Sequence, residues 1–263
     1  KINILKNKNI IKIKNTNKNI NTLAPYKLVK TMRAGILVLG PLLAKYKKAK
    51  MSLPGGCAIG TRPVDLHLFA LKKLGAKIKI KNGYIIAEAE NGLKGNNITF
   101  PSISVGATEN AILAAFKAVG KTTLYNCAIE PEIKDLILFL NKIGGKIKIV
   151  GRKIFITGSK KIKKNITHNI IFDRIELGTY MIAAALVGKK IIFDKINAKI
   201  VNNEINILKK MGVKIKNKKS RIEVFKSDNI KKINIITKPY PGFPTDLQAQ
   251  LMVLMTRAKG ISK

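Results

Sequence analysis

Apolar and polar residues follow two different spacings along this chain, and the two spacings alternate in a fixed order. Apolar residues three or four positions apart lead up to Gly75, Gly144 and Gly212, and an alternating Lys-Ile-Lys pattern follows each glycine. The first spacing is typical of an amphipathic helix and the second of a half-buried strand. Glycine suits a helix end because it adopts the left-handed backbone conformation freely. The sequence therefore predicts three helix-to-strand transitions, separated by 69 and 68 residues.

A second series of apolar helices is predicted between these transitions. Each begins after polar residues of the kind that cap helices, and the segments start at Lys30, Ser104, Asp173 and Phe243. The Asn82-Gly83 pair predicts a tight hairpin turn after the first alternating strand. The repeating unit is therefore strand, helix, strand, helix and hairpin, about 70 residues in all. Such alternation predicts an α/β fold.

The two ends of the chain fall inside this unit. Residues 1–15 match the hairpin that should follow a helix, and residues 260–263 stop where the next strand should begin. The first residue is Lys1 rather than Met. We therefore expect the chain to be truncated at both ends.

The size and apolar content of the chain indicate a globular protein. Its 263 residues are 46% hydrophobic, enough for one large core or two ordinary ones. The longest apolar stretch, residues 35–44, contains Pro41. It falls well short of the roughly 20 residues that cross a bilayer, so we expect no membrane span and a cytoplasmic location.

No metal or other cofactor is predicted. Cys57 and Cys127 form no Cys-x-x-Cys pair, and His67 and His168 are too few and too far apart for a metal site or a catalytic triad. Cys127 lies at the end of a predicted strand without a cationic motif beside it, and we interpret it as a packing residue.

The formal net charge of +37 raises the possibility of a nucleic-acid partner. Only six of the 51 basic residues are Arg, however, and the lysines are spread over the whole chain together with Ile and Asn. Clustered Arg and interleaved aromatic residues are typical of nucleic-acid binding, and the chain has no Trp. We favour compositional drift and predict no specific nucleic-acid partner. A non-catalytic basic repeat module that binds nucleic acid stays open as an alternative.

Two segments, Ser52–His67 and Tyr240–Gln250, are distinctive enough to indicate a family. The first resembles the active-site cysteine loop of the enolpyruvyl transferases that act on UDP-N-acetylglucosamine, and the second resembles their catalytic-base segment. Supporting matches occur in the family's order over almost the whole chain, at residues 28–34, 102–110, 130–135 and 173–176.

The resemblance implies a fold and a domain organisation. The expected fold is an inside-out α/β barrel of βαβαββ repeats in two domains, with the active site in the cleft between them. Residues 1–171 would belong to the domain that carries the cysteine loop, and residues 172–263 would begin the second domain. The expected substrates are UDP-N-acetylglucosamine and phosphoenolpyruvate.

The resemblance also implies two catalytic residues. Cys57 would be the proton donor, able to form an adduct with phosphoenolpyruvate and to be alkylated by fosfomycin; a small buried packing cysteine is the alternative. Asp246 would be the base that takes the proton of the sugar 3-hydroxyl, whereas an ordinary helix cap explains the same position equally well.

Substrate-binding residues are implied in three segments. Arg33 and Arg62 resemble ligands of substrate phosphates, for which the fork of guanidinium donors is well suited. The expected uridine segment consists of Arg62, Pro63, Val64, Asp65 and Leu66. The expected diphosphate segment consists of Ser102, Ile103, Ser104, Val105 and Gly106. Asp173 matches a carboxylate of the family's cleft, but a generic helix cap is the alternative.

The chain departs from the family pattern in places. Ile129 stands where the family commonly has Arg, and the family's N-terminal Lys-Asn pair and C-terminal phosphoenolpyruvate-binding Arg have no counterpart. We therefore expect this chain alone to be inactive. Transfer to shikimate 3-phosphate, the related reaction, is the alternative, although the two distinctive segments favour the UDP-sugar branch. The oligomeric state is left open by the sequence.

Overall fold

The computed structural model describes residues 2–7, 10–15, 20–30, 32–54, 64–159, 161–218 and 220–263. Two compact units share the chain. The first unit consists of Lys1–Phe100, Gly106–Tyr125 and Phe155–Lys161, and the second consists of Pro101–Val105, Asn126–Ile154 and Ile162–Lys263. The domain boundary predicted at residue 171 stays a prediction.

The first unit contains eight strands and four α-helices in its described part. In chain order they are β1 (Ile2–Asn7), β2 (Ile10–Asn15), β3 (Leu23–Ala24), α1 (Tyr26–Val29), α2 (Leu39–Tyr46), β4 (Lys48–Ser52), α3 (Asp65–Lys73), β5 (Lys77–Lys81), β6 (Tyr84–Glu88), β7 (Asn97–Thr99), α4 (Val105–Ala115) and β8 (Lys121–Tyr125). A 3-10 helix, Arg33–Val38, precedes α2.

The strands of the first unit pair locally. β1 and β2 form an antiparallel hairpin, which confirms the hairpin predicted for residues 1–15. A four-stranded sheet has the order β3-β4-β6-β5, in which only the β3–β4 pair is parallel. β7 and β8 pair in parallel. Apolar side chains of α2, α3, β6 and α4 are fully buried, among them Leu39, Leu71, Ile85 and Ile112.

The second unit begins with a helix that follows Glu130. Its elements are α5 (Pro131–Lys142), β9 (Lys146–Val150), β10 (Lys153–Thr157), α6 (Arg174–Val187), β11 (Lys190–Asp194), α7 (Asn202–Lys210), β12 (Ile215–Lys218), β13 (Arg221–Phe225) and α8 (Gln248–Met255). The 3-10 helices Ala198–Val201 and Thr245–Leu247 precede α7 and α8. The boundary between the units passes through β10.

One apolar core holds much of the second unit together. β13 lies between β11 and β12, antiparallel to both. Met181 of α6, Leu208 of α7, Val224 of β13 and Leu254 of α8 belong to one buried cluster. Each such side chain contributes roughly 1.5–3 kcal/mol through removal from water, so this cluster fixes how α6, α7 and α8 pack.

The predicted glycine positions are confirmed. Gly75, Gly144 and Gly212 follow α3, α5 and α7 with φ values of 97°, 111° and 89°, in the left-handed region where a side chain would be strained. The order β7, α4, β8, α5, β9, β10 reproduces the predicted βαβαββ unit. Asn82 and Gly83 both have positive φ in the turn between β5 and β6, as the hairpin prediction required.

Two helix starts differ from the prediction. The segments expected to open helices at Lys30 and Phe243 begin their regular structure as 3-10 helices at Arg33 and Thr245, and α-helix follows only afterwards. Short 3-10 turns are common at the N-terminal ends of α-helices. None of the helices in the described residues is long and apolar enough to span a membrane.

Candidate functional site

A cavity of about 220 Å³ lies within the second unit, where several helices begin. Glu130 is the residue before α5, Arg174 is the first residue of α6, and Asp246 belongs to the 3-10 helix before α8. The lining residues are Ile103, Val105, Glu130, Arg174, Thr237, Lys238, Pro239, Tyr240, Pro244, Thr245 and Asp246. The cavity therefore joins predicted residues from the diphosphate and base segments with residues that were not predicted.

Arg174 is the central cation of this cavity. Its Nε and Nη2 donate to the two carboxylate oxygens of Glu132, at 3.3 Å and 3.2 Å. Nη1 lies 3.9 Å from Glu204 Oε1, and the guanidinium lies 5.7 Å from the ring centroid of Tyr240. Burial lowers the pKa of Arg174, but its hydrogen bonds to Glu132 and the charges of Glu132, Glu204 and Glu130 outweigh burial and raise it. The guanidinium is therefore a permanent positive charge.

Three buried polar atoms around Arg174 have no hydrogen-bond partner among the described residues: Arg174 Nη1, Glu130 Oε2 and Glu204 Oε1. Glu204 is only 2% exposed, and burial raises the pKa of its carboxyl against the opposing effects of a backbone hydrogen bond and of Arg174. Because unpartnered buried polar atoms are costly, this region of the cavity is suited to a polar group or water that supplies the missing bonds.

The loop that carries Tyr240 is fixed from both sides. The Tyr240 N–H donates to Glu130 Oε1 at 3.3 Å, and its carbonyl accepts from Arg152 Nη2 at 2.8 Å. Arg152 Nη1 donates in addition to the Cys127 carbonyl at 3.0 Å. Arg152 thus ties the turn between β9 and β10 to two separate segments. Burial, followed by the charge of Glu204, raises the pKa of Tyr240, which keeps its hydroxyl neutral.

Asp246 lies six residues beyond Tyr240 and is exposed at the cavity. Phe243 and Leu247 on either side of it are buried in the core of the second unit. The loop closes through Gly242 N–H, which donates to the Pro239 carbonyl at 2.8 Å. A Cβ on Gly242 would lie 2.5 Å from Lys238 Cβ, so only glycine fits this closure. Asp246 is therefore a solvent-accessible carboxylate on a well-anchored loop.

Asp173 caps α6. Its Oδ1 accepts from the Ile175 and Glu176 N–H groups at 2.8 Å and 3.1 Å, and Asp173 is not among the residues that line the cavity. The next residue, Arg174, lines it instead. The helix-cap interpretation of Asp173 accounts for its hydrogen bonds in full.

The other predicted substrate residues are only partly grouped by the structure. Ile103 and Val105 line the cavity, whereas Ser102 is exposed outside the lining set. Gly106 lies against His67, where a Cβ would be 3.0 Å from the imidazole. In the first unit, Val64 precedes α3, Asp65 is its exposed first residue and Leu66 is half-buried.

Several predicted residues lie outside the described residues. These are Cys57, Arg62 and Pro63; for Arg33 the backbone is described within a 3-10 helix, but the side chain is not. The roles predicted for them stay predictions. Among the described residues there is no group of three or more His, Cys, Asp or Glu that could hold a metal ion.

Cys127 and the histidines have structural environments. Cys127 is fully buried, which confirms its interpretation as a packing residue, and burial, opposed by Arg152, raises its pKa to about 12. His67 Nδ1 lies 3.2 Å from Asn110 Nδ2 in a buried network. The His168 side chain is 11% exposed, lies 3.0 Å from Asp135 and packs edge-on against Phe139.

Sequence reasoning missed Glu130, Arg152, Arg174 and Tyr240. A signal for the two arginines was present, because they are two of only six Arg among 51 basic residues. Arg152 donates from two guanidinium nitrogens to two backbone carbonyls in different segments. Arg174 donates from two guanidinium nitrogens to the two oxygens of one carboxylate. A lysine ammonium cannot replace either arrangement.

Comparison with solved structures defines the fold. The enolpyruvyl transferase NikO from Streptomyces tendae superposes with a TM-score of 0.77 at 18% identity, over 91% of this chain and 57% of that one. EPSP synthase from Acinetobacter baumannii gives a TM-score of 0.64 at 21% identity, over 97% of this chain and 58% of that one. The predicted enolpyruvyl transferase fold is confirmed.

Sequence comparison then gives the family. The sequence matches the EPSP synthase (3-phosphoshikimate 1-carboxyvinyltransferase) family over residues 1–263, and the chain belongs to that family. A UDP-N-acetylglucosamine 1-carboxyvinyltransferase of Pelagibacter ubique is 60% identical over 96% of this chain and 60% of its own length. One of Aliarcobacter butzleri is 49% identical over 98% of this chain and 61% of its own length. The chain thus spans about three fifths of the length of these relatives.

Proposed function

We propose that this chain belongs to an enzyme that transfers the enolpyruvyl group of phosphoenolpyruvate to the 3-hydroxyl of UDP-N-acetylglucosamine and releases phosphate. This reaction is the first committed step of peptidoglycan synthesis. The observation that carries the proposal is 60% identity over 96% of the chain with a relative named for this activity. For an enzyme with these substrates we also propose a cytoplasmic location.

The chemistry needs a base, an acid and cations. Asp246 supplies the base in this proposal, since it is an exposed carboxylate at a cavity that a sugar hydroxyl could approach. Lys238 at the same cavity supplies positive charge for anionic substrate groups. Cys57 supplies the proton for the methylene carbon of phosphoenolpyruvate, and Arg33 and Arg62 bind phosphate. These last three assignments follow from the sequence resemblance.

The remaining binding residues keep their predicted roles in the proposal. Pro63, Val64, Asp65 and Leu66 bind uridine together with Arg62, and the segment from Ser102 to Gly106 binds the diphosphate. For Asp173 we propose an indirect role, because its carboxylate is already engaged as the cap of α6.

Transfer to shikimate 3-phosphate is the second candidate. It is favoured by the name of the matching family and by the structural likeness to EPSP synthase. The identity to that structure is 21%, against 60% for the relative named for the UDP-sugar reaction, so we rank it second.

The test compares the two acceptors directly. Thermal unfolding of the protein should shift upward with UDP-N-acetylglucosamine and stay unchanged with shikimate 3-phosphate, because a ligand stabilises only the folded state that binds it. Fosfomycin should then add one adduct to the intact protein, faster in the presence of UDP-N-acetylglucosamine. The Cys57→Ala variant should take no adduct, and the matched Cys127→Ala variant should react as the wild type does.

Other outcomes would replace the proposal. A thermal shift with shikimate 3-phosphate alone would favour the second candidate. Binding of DNA with a steep dependence on salt, and no response to either acceptor, would instead favour the basic module left open by the charge of +37.

A further inference from the structure

Glu130 and Arg152 hold the same residue, Tyr240, by its two backbone groups. Glu130 accepts from the Tyr240 N–H, and Arg152 donates to the Tyr240 carbonyl. The two hydrogen bonds together restrict rotation of the peptide groups on both sides of Tyr240. Glu130 itself is 4% exposed, so its carboxylate cannot move without unpacking its surroundings.

Arg174 extends this restraint to the side chain of Tyr240. Its guanidinium lies 5.7 Å from the ring centroid, a cation–π contact, and it is itself fixed by Glu132. Glu130 and Glu132 flank Pro131 at the start of α5, so one helix start supplies both carboxylates. The side chain and the backbone of Tyr240 are therefore anchored to the same end of α5.

A short loop, closed by backbone hydrogen bonds, connects Tyr240 to Asp246. Lys238 N–H donates to the Phe243 carbonyl at 2.9 Å, and Gly242 N–H donates to the Pro239 carbonyl at 2.8 Å. Beyond Phe243, the buried Pro244 and Leu247 leave little freedom to the segment between them. Tyr240 and Asp246 therefore lie on one short, hydrogen-bonded segment with little freedom between them.

We propose that Glu130, Arg152 and Arg174 are positioning residues that set the place of the Asp246 carboxylate by clamping Tyr240. The proposal rests on the function proposed above for Asp246 as the base. It assigns no contact with substrate to these three residues. Their effect should appear in the rate of the chemical step rather than in the affinity for the acceptor, because a misplaced base leaves binding contacts intact.

Two substitutions that conserve charge test the clamp. Glu130→Asp withdraws the carboxylate by one methylene, and Arg152→Lys keeps the charge but loses the fork that reaches both Tyr240 and Cys127. The Arg221–Glu223 ion pair, at 3.1 Å on the surface of β13, provides matched controls with the same changes, Glu223→Asp and Arg221→Lys.

The first readout is amide hydrogen exchange in residues 238–247, which requires no activity. Both clamp variants should exchange at least about tenfold faster at Tyr240 and Gly242, whereas both controls should match the wild type. Unchanged exchange in the clamp variants would overturn the clamp whatever the enzyme's substrate proves to be.

The second readout is kcat and KM with UDP-N-acetylglucosamine and phosphoenolpyruvate, measured on the whole enzyme to which this chain belongs. The clamp variants should lose about tenfold or more in kcat, with KM within about twofold of wild type. A rise in KM at unchanged kcat would overturn positioning and indicate direct contact with substrate. A whole wild-type enzyme that uses neither acceptor would refute the proposed function alone, since hydrogen exchange still decides the clamp.

Discussion

Arg174 and Glu132 form a two-point ion pair, with Nε and Nη2 donating to the two oxygens of one carboxylate at 3.3 Å and 3.2 Å. The pair connects the first turn of α6 to the first turn of α5. Two parallel hydrogen bonds of this kind fix both the distance and the orientation of the two side chains, so the start of α6 is held against the start of α5. The same guanidinium also faces Glu204, so one residue balances more than one carboxylate.

Replacing Arg174 by Met should destabilise the protein by about 3–5 kcal/mol, because Glu204 would be left as a buried carboxylate without a cation. The measurement is urea unfolding followed by circular dichroism. Arg221→Met is the matched control; Arg221 is 46% exposed and pairs with Asp194 and Glu223. We expect the control to cost about 1 kcal/mol or less. Equal losses in the two variants would contradict the assigned burial of the Arg174 cluster.

Glu204→Gln should change how stability depends on pH. Burial raises the pKa of Glu204 in the folded state above its ordinary value. The folded state therefore holds the proton more tightly than the unfolded state, and this contribution to stability disappears as pH rises through the raised pKa. As pH rises above 4.5, the ordinary pKa of a Glu carboxyl, the variant should therefore gain stability relative to wild type. Parallel urea unfolding curves at several pH values measure the difference, and a constant difference would refute the shift.

Cys127 should resist alkylation in the folded protein. With its pKa raised to about 12 by burial, its thiolate is scarce near neutral pH, and its side chain is inaccessible. In the Cys57→Ala variant, iodoacetamide should therefore label nothing until urea is added, as read by intact mass. Labelling of native Cys57→Ala protein at the rate of a free thiol would show that the strand end around Cys127 opens readily.

Asp173 offers a way to separate a helix cap from a binding residue. Asp173→Ala should cost about 1 kcal/mol of stability, whereas Asp173→Ser should keep most of it, because a serine hydroxyl can accept from the same N–H groups. Both activity and unfolding should be measured for each variant. A stable Asp173→Ser protein with lost activity would assign the carboxylate a direct role in substrate binding.

Local sequence features predicted local structure well. The glycines after α3, α5 and α7, and the Asn82-Gly83 turn, were predictable because a positive φ leaves few residue choices. The cap at Asp173 was predictable for the same local reason, as an alternative to binding. The late onset of α-helix after Arg33 was not, because propensity alone does not separate a 3-10 start from an α-helical one.

The candidate site was only partly predictable. Asp246 was predictable through the resemblance of its segment, whereas Arg174 was not predicted as a cavity residue although it lies next to Asp173. Its partners lie on other elements, Glu132 being 42 residues away. No local spacing encodes such pairs. The scarcity of arginine in the chain was the one compositional signal, and it pointed to Arg152 and Arg174 equally.

The hydrogen bonds of Glu130 and Arg152 to Tyr240 also bear on the order in which segments fold during synthesis. Glu130 and Arg152 precede Tyr240 by 110 and 88 residues, so both leave the ribosome well before the segment they hold. α5 and the β9–β10 turn can therefore be in place when Tyr240 emerges, and the entropic cost of closing the long chain between them is met only then. In a nascent chain, the Asp246 carboxylate would then reach its correct orientation only after the segment that contains Glu130 and Arg152 had folded. Correct placement of the proposed base is therefore a late step in folding.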